Sequence, residues 1–142
     1  CFGASDAFKA ALLDSSETWH MTLGYGEQPR EAGVHVMETV QGDELETVTG
    51  LGASGAQIIL NYCAVAPSPA HPMIPTLQVS DHPDVITRFD ADLDLNLETT
   101  EAPVEALLDL LAKTASRQHR PRLTPRLSAG FQLARGPLGI SM

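Results

Sequence analysis

The chain has 142 residues, of which 43% are hydrophobic, and its formal net charge is −9. This length is enough for one domain with its own core, and no apolar run is long enough to cross a membrane. All 18 acidic residues lie within residues 1–112, and this acidic body argues against nucleic acid as the main partner, because phosphate contacts need a basic face.

The first residues place a thiol, a hydroxyl and a carboxylate close together. Cys1 stands where Met would begin a chain, which predicts a fragment or a processed product, and no basic-then-apolar leader follows it. Cys1, Ser5 and Asp6 could bind a metal or act on a proton, and a turn leading into a helix cap at Ser5 or Asp6 is the alternative. Cys1 and Cys63 do not make a disulfide framework, so we expect free thiols and a cytoplasmic protein.

The predicted elements alternate between helices and strands. In chain order, the pattern predicts a helix over residues 7–22, a strand over 33–37, a helix over 45–55, strands over 57–62 and 76–80, and helices over 83–89 and 101–116. Such alternation is typical of an α/β layer with a mainly parallel sheet, which we expect to be Rossmann-like. Three strands are few for a stable parallel sheet, so we expect the domain to be incomplete without further chain or a partner.

The last predicted helix leads into a basic tail. Thr100 is its expected cap, and its apolar stripe consists of Val104, Leu107, Leu108 and Leu111. Residues 113–142 contain six basic residues and no acid. This tail could fold back on the acidic body, contact another subunit or remain solvated.

Glycines 50, 52 and 55 imitate a dinucleotide-binding pattern. The pattern precedes a predicted strand instead of opening a helix after one. We therefore predict no nucleotide cofactor site.

An acidic segment, Asp90-Ala-Asp-Leu-Asp-Leu-Asn-Leu-Glu98, follows the predicted helix over residues 83–89. Alternate residues of an extended chain share a face, so Asp92, Asp94 and Asn96 can point into one space. Their oxygens suit a hard divalent cation such as magnesium, manganese or ferrous iron, which would offset the repulsion between the acids. The alternative is an amphipathic edge strand with its leucines inward and its acids in water.

None of the five histidines has the spacing of a zinc site. His71 and His82 lie in predicted loops beside the acidic segment, and they are the candidate general bases. His35 lies inside a predicted strand, where a core histidine with satisfied hydrogen bonds is the simpler interpretation.

Several separated motifs occur in a specific order: Tyr25-Gly-Glu-Gln-Pro29, Gly33-Val-His-Val-Met37, Val48-Thr-Gly50, Gly55-Ala-Gln-Ile-Ile59 and Asp92-Leu-Asp-Leu-Asn96. In their order and spacing, residues 23–112 resemble the C-terminal catalytic region of the altronate/galactarate dehydratase family, bacterial sugar-acid hydro-lyases. The segment Cys1-Phe-Gly-Ala-Ser-Asp6 is similar to a second motif of that family, Cys-Gly-Gly-Ser-Asp, with one additional residue.

The resemblance implies a metal-assisted elimination of water from a sugar acid. The Asp92–Asn96 segment falls on the family's Asp-Met-Asp-Ile-Asn element, so Asp92, Asp94 and Asn96 are expected to hold iron or manganese, and Cys1, Ser5 and Asp6 to complete the site. A base would remove the proton next to the carboxylate, the metal would hold the enediolate, and the β-hydroxyl would leave as water. We expect the acidic segment to border one cavity with the loop of residues 63–75.

Two departures from the family predict weak activity. Cys63-Ala-Val-Ala66 occupies the place of the family's Thr-Gly-Arg-Gly, and Gln78 stands where a lysine is usual. An arginine there could clamp a carboxylate, and the glycines would let the backbone approach a ligand. The Cys1–Asp6 segment also lies much closer to the Tyr25 loop than the corresponding motif does in the family.

Three functions therefore remain open. The first is a weak sugar-acid dehydratase, and the second is a non-catalytic remnant of the same fold that acts in assembly or binds an acid. The third is an amidohydrolase with Cys1 as its N-terminal nucleophile. The predicted organisation is an upstream remnant over residues 1–22, an α/β domain over 23–116 and a basic tail over 117–142. We expect a homo-oligomer or a partner of a missing upstream domain.

Overall fold

The computed structural model describes residues 22–39, 43–123, 133–134 and 140–141. The described elements are, in chain order, α1 (Glu44–Ala53), β1 (Ile59–Tyr62), β2 (Thr76–Ser80), α2 (Pro83–Phe89), a 3-10 turn (Asp90–Asp92), β3 (Leu95–Asn96), α3 (Pro103–Ala115), β4 (Leu133–Ala134) and β5 (Ile140–Ser141). The chain forms two compact units, one of Cys1–Gly55 with Gln132–Met142 and the other of Ala56–Phe131. The predicted boundaries at residues 22 and 116 stay predictions.

A three-stranded parallel sheet in the order β1-β2-β3 organises the unit Ala56–Phe131. Ile59 pairs with Thr76 and Val79 pairs with Leu95, so β2 is central. All five residues of β2 are buried, as expected for a parallel strand with both faces covered. The mixed α/β fold with a parallel sheet is therefore confirmed. The predicted bounds of β2 agree with the structure, whereas β1 begins two residues later than predicted.

The two faces of β2 have different chemistry. Leu77 and Val79 pack with Leu110 of α3, together with the partly buried side chains of Ile58, Leu95, Leu97, Leu107 and Leu111. The alternate residues Thr76, Gln78 and Ser80 are polar and at most 1% exposed. Near the carboxyl end of β1, Cys63, Val85 and Leu93 form a second apolar cluster with Ile86 and Phe89. A buried polar face of this kind requires internal hydrogen bonds.

Helix α3 begins later than predicted and uses its apolar stripe only in part. Thr100 does not cap it, because its hydroxyl donates to the Asn96 carbonyl at 2.6 Å. The helix begins at Pro103, which suits a first helical position and disfavours helical geometry in the residue before it. Leu107 and Leu111 pack on the sheet, whereas Val104 and Leu108 are 63% and 61% exposed.

The described part of the unit Cys1–Gly55 with Gln132–Met142 contains α1 and the antiparallel pair of β4 and β5. Asp43 caps α1 by accepting from the Glu46 N–H at 3.0 Å. The predicted strand over residues 33–37 is wrong: Leu23 and Met37 form an isolated parallel bridge, with Leu23 N–H donating to Val36 O at 2.9 Å. Val34 and Met37 thus form isolated bridges, and the described residues do not continue them into a strand.

The Cys1, Ser5 and Asp6 motif lies outside the described residues, as does the predicted helix over residues 7–22 except for its last residue. Within the described part of the chain, no helix has the length and apolar character needed to span a membrane.

Candidate functional site

The Asp94 carboxylate is fully buried and is held by three hydrogen bonds. Its Oδ2 accepts from the Gln78 N–H at 2.8 Å. Its Oδ1 accepts from His119 Nε2 at 2.9 Å and from the Arg122 N–H at 3.0 Å. Because a carboxylate only accepts, the His119 Nε2 carries the proton in this contact. Asp94 thus ties the segment after α3 to the central strand.

Asp92 and Asn96 lie on either side of Asp94 in different local structures. Asp92 ends the 3-10 turn and is partly exposed. Asn96 ends β3, and its Oδ1 accepts from the Glu98 N–H at 3.0 Å and from the Thr99 N–H at 3.4 Å. This is the turn-forming role that asparagine often has after a strand.

The chain already uses most of the acceptor capacity of Asp94 and Asn96. Asp94 Oδ1 and Asn96 Oδ1 each accept two N–H groups, so either oxygen would give up a hydrogen bond to bind a metal, whereas Asp94 Oδ2 accepts one N–H and keeps a lone pair. Within residues 22–39, 43–123 and the two short described strands, no three His, Cys, Asp or Glu side chains form a group that could hold a metal. Iron or manganese at Asp92, Asp94 and Asn96 therefore stays a prediction from the family resemblance.

Gln78 is the centre of a buried polar network that the sequence did not reveal. Its Oε1 accepts from Asn61 Nδ2 at 2.7 Å, from the Ser68 N–H at 3.2 Å and from Cys63 Sγ at 3.2 Å. Its Nε2 donates to the Ser68 carbonyl at 3.1 Å. The side chain is 0% exposed, so these bonds also satisfy an amide that would otherwise be costly to bury. Gln78 therefore holds the loop that follows β1.

The two candidate general bases lie at opposite ends of β2. His71 precedes the strand and is 4% exposed, whereas His82 follows it as the exposed N-cap residue of α2. Burial lowers the pKa of His71, and its Nδ1 accepts from the Met73 N–H at 3.1 Å. A five-residue strand spans about 16 Å, so these histidines do not form one acid–base pair.

A cavity of about 380 Å³ lies beside the beginning of β2. Its walls are the end of the loop before β2 and the chain after α3: residues 70–76, Thr114, Arg117, His119, Arg120, Pro121 and Leu123. None of Asp92, Asp94 and Asn96 lines it, although Asp94 contacts the lining residue His119. The sequence predicted a cavity bordered by both the acidic segment and the loop of residues 63–75. Of that loop, only residues 70–75 line the observed cavity.

The first part of the basic tail folds back on the acidic segment. Besides its N–H bond to Asp94, Arg122 donates from Nη1 to the Asp90 carbonyl at 2.9 Å. The basic, acid-free composition of residues 113–142 indicated that the tail could contact the acidic body. It did not identify Arg117, His119 or Arg120 as cavity residues. Their placement depends on the end of α3.

Comparison with known families gives one match that covers most of the chain. Residues 13–121 match the family model of the D-galactarate/altronate dehydratase C-terminal region. No curated protein matches the chain significantly. Since the match covers more than half of the chain, including the parallel sheet and α3, the chain belongs to the D-galactarate/altronate dehydratase C-terminal family.

Proposed function

We propose that this chain functions as a sugar-acid dehydratase domain that binds an altronate- or galactarate-like acid and eliminates water weakly. The observation that carries the proposal is the family match over residues 13–121. A cytoplasmic location and a divalent metal, iron or manganese, belong to the same proposal. We also propose that Cys1, Ser5 and Asp6 complete the active site.

Charge explains why we propose weak turnover. An enediolate beside a carboxylate carries two negative charges, and preorganised cationic donors normally stabilise such a species by several kcal/mol. The family's arginine position holds Val65, which is 77% exposed, and its lysine position holds Gln78. Gln78 is 0% exposed and bonds to Asn61, Cys63 and Ser68, so it is not available to a substrate.

Acid binding without turnover is the second candidate. The observation in its favour is the commitment of Asp94 to Gln78, His119 and Arg122, which gives this carboxylate a structural role. An N-terminal Cys1 amidohydrolase stays a hypothesis, and the described residues contain no observation that favours it.

The test is an anaerobic assay of keto-acid formation from altronate and galactarate with ferrous iron or manganese. The expected result is slow product formation above a metal-free control. Binding of either acid by calorimetry without any product would favour the second candidate. An absence of both binding and product would contradict the proposal.

A further inference from the structure

The cavity beside the beginning of β2 combines positive charge with an apolar wall. Arg117, Arg120, His71 and His119 lie on its lining, and the lining contains no aspartate or glutamate. The rest of the wall is largely hydrophobic, with Met73, Ile74 and Leu123 among several prolines. The chain as a whole has a net charge of −9, but this cavity is lined by basic residues and therefore attracts anions.

The backbone holds Arg117 at this cavity at a conformational cost. Helix α3 ends with Arg117 N–H donating to Thr114 O at 3.0 Å and Gln118 N–H donating to Lys113 O at 2.8 Å. This pair of bonds forms a Schellman motif, whose left-handed residue is usually glycine. Here that residue is Arg117, with φ of 61°, and among the described residues it is the one non-glycine with positive φ. A side chain kept where glycine fits better points to a role for its guanidinium.

The neighbouring histidines are fixed by different bonds. His119 donates from Nε2 to the buried Asp94 carboxylate at 2.9 Å, which fixes the imidazole at the cavity wall. His71 accepts the Met73 N–H at Nδ1, so its neutral form carries a proton on Nε2 and keeps one donor. Burial lowers the pKa of His71, which favours this neutral form. The lining therefore includes two arginines and an imidazole that Asp94 holds in place.

We propose that this cavity binds a small organic carboxylate with a hydrocarbon body, at a site separate from Asp92 and Asn96. Arg117 and Arg120 would hold the carboxylate, since guanidinium groups bind carboxylates with charge-assisted hydrogen bonds. Ile74, Leu123 and the prolines would cover the hydrocarbon part. A volume of about 380 Å³ is in the range of small-molecule sites. The apolar wall disfavours a fully hydroxylated sugar acid, because its hydroxyl groups would lose water without gaining partners.

The experiment titrates the full 142-residue chain with cyclohexanecarboxylate and follows amide chemical shifts. Galactarate, inorganic phosphate and cyclohexanecarboxamide are the comparison ligands. We expect saturable shifts at residues 70–76 and 117–123, with the carboxylate binding at least about tenfold more tightly than the neutral amide, as expected for a lost charge-assisted contact. Equal binding of the amide, tighter binding of galactarate or phosphate, or no saturable shift at these residues would overturn the proposal.

Matched variants separate the site from the general charge of the protein. Arg117→Asn keeps a residue that tolerates positive φ, and Arg120→Gln removes the second guanidinium. Each should weaken cyclohexanecarboxylate binding at least about fivefold, in line with one lost charged hydrogen bond. Lys113→Gln is the control, because Lys113 pairs with Asp109 at 2.6 Å and does not line the cavity. Equal losses in all three variants, or no loss in either arginine variant, would overturn the assignment.

Discussion

Gln78 and Ser68 form a reciprocal pair in which a buried side-chain amide bonds to the peptide groups of a loop residue. The Ser68 N–H donates to Oε1 at 3.2 Å, and Nε2 donates back to the Ser68 carbonyl at 3.1 Å. The Gln78 amide thus bonds to both backbone groups of Ser68, as the backbone of a neighbouring strand would do. A lysine, usual in the family at this position, has donors but no acceptor. The loop after β1 and residue 78 therefore depend on each other.

The first prediction concerns Gln78→Lys alone. The substitution removes the acceptor of Asn61 Nδ2 and of the Ser68 N–H and places an ammonium at a fully buried position. We expect a loss of at least about 3 kcal/mol in the free energy of unfolding, measured with urea. Gln57→Lys is the control, because Gln57 is exposed, and it should change stability by less than about 0.5 kcal/mol. Equal stability of the two variants would contradict the role of Gln78.

The second prediction separates the structural and metal-binding roles of the acidic segment. Asp94→Asn replaces one carboxylate oxygen with an NH2 group, which would face an N–H of Gln78 or Arg122 that the carboxylate now accepts. We expect the free energy of unfolding without added metal to fall by about 2–4 kcal/mol. Asp92→Asn, at a partly exposed position, should cost less than about 1 kcal/mol. The measurement is thermal unfolding with and without ferrous iron. A metal-dependent rise in melting temperature that both variants abolish would instead favour the metal site.

Sequence patterns were informative where burial alone decides the structure. The apolar run at β1 and the five residues of β2 needed only their composition and flanking residues, because a central parallel strand is buried on both faces. Residues 33–37 have similar composition, but within the part of the chain that the structure describes they form isolated bridges instead of a continuous strand, so the same rule failed there. The roles of Asp94 and Gln78 depend on partners 10 to 28 residues away, and local spacing carries no information on such contacts.

The third prediction concerns the packing of Tyr25 on α1. A Cβ added at Gly50 would lie 2.4 Å from Tyr25 Cε2 and 2.9 Å from Met37 Cε, so Gly50→Ala should cost about 1–3 kcal/mol. The Tyr25 hydroxyl also donates to the Glu46 carbonyl at 2.9 Å, which fixes the ring over the helix. Amide hydrogen exchange in α1 measures the effect. In a Tyr25→Ala background most of the cost of Gly50→Ala should disappear, and an unchanged cost would exclude the proposed clash.

The fourth prediction is a pH dependence of stability through His71. Burial lowers the pKa of His71 in the folded chain below its ordinary value of 6.5. Between these two pKa values the unfolded chain binds more protons, so the free energy of unfolding falls as pH decreases from 6.5 through the folded pKa. Protonation would also end the bond from the Met73 N–H to Nδ1. His71→Gln should reduce this pH dependence of the free energy of unfolding, measured with urea between pH 7 and pH 5. The control His82→Gln, at an exposed position, should retain it. The reverse pattern would contradict the prediction.

The last prediction restores the family's cationic groups. Ala64→Gly, Val65→Arg, Ala66→Gly and Gln78→Lys together should raise keto-acid formation from altronate or galactarate at least about tenfold, because one preorganised donor can contribute several kcal/mol. Residues 64–66 are exposed at the carboxyl end of β1, so the loop can accept the first three changes without loss of core packing. The new glycines would also release the loop from the geometry that Gln78 imposes, which should reduce the cost of Gln78→Lys in this combination.

The matched control for that variant carries the same changes with Val65→Gln in place of Val65→Arg. It keeps the loop and the lysine but lacks the guanidinium, so a gain confined to the arginine version would identify the missing charge as the cause. Circular dichroism of both proteins establishes that they fold, and the loop triple variant with native Gln78 provides the comparison if the lysine prevents folding. Robust turnover by the unmodified chain, or equal activity of the arginine and glutamine versions, would show that these positions do not limit the reaction.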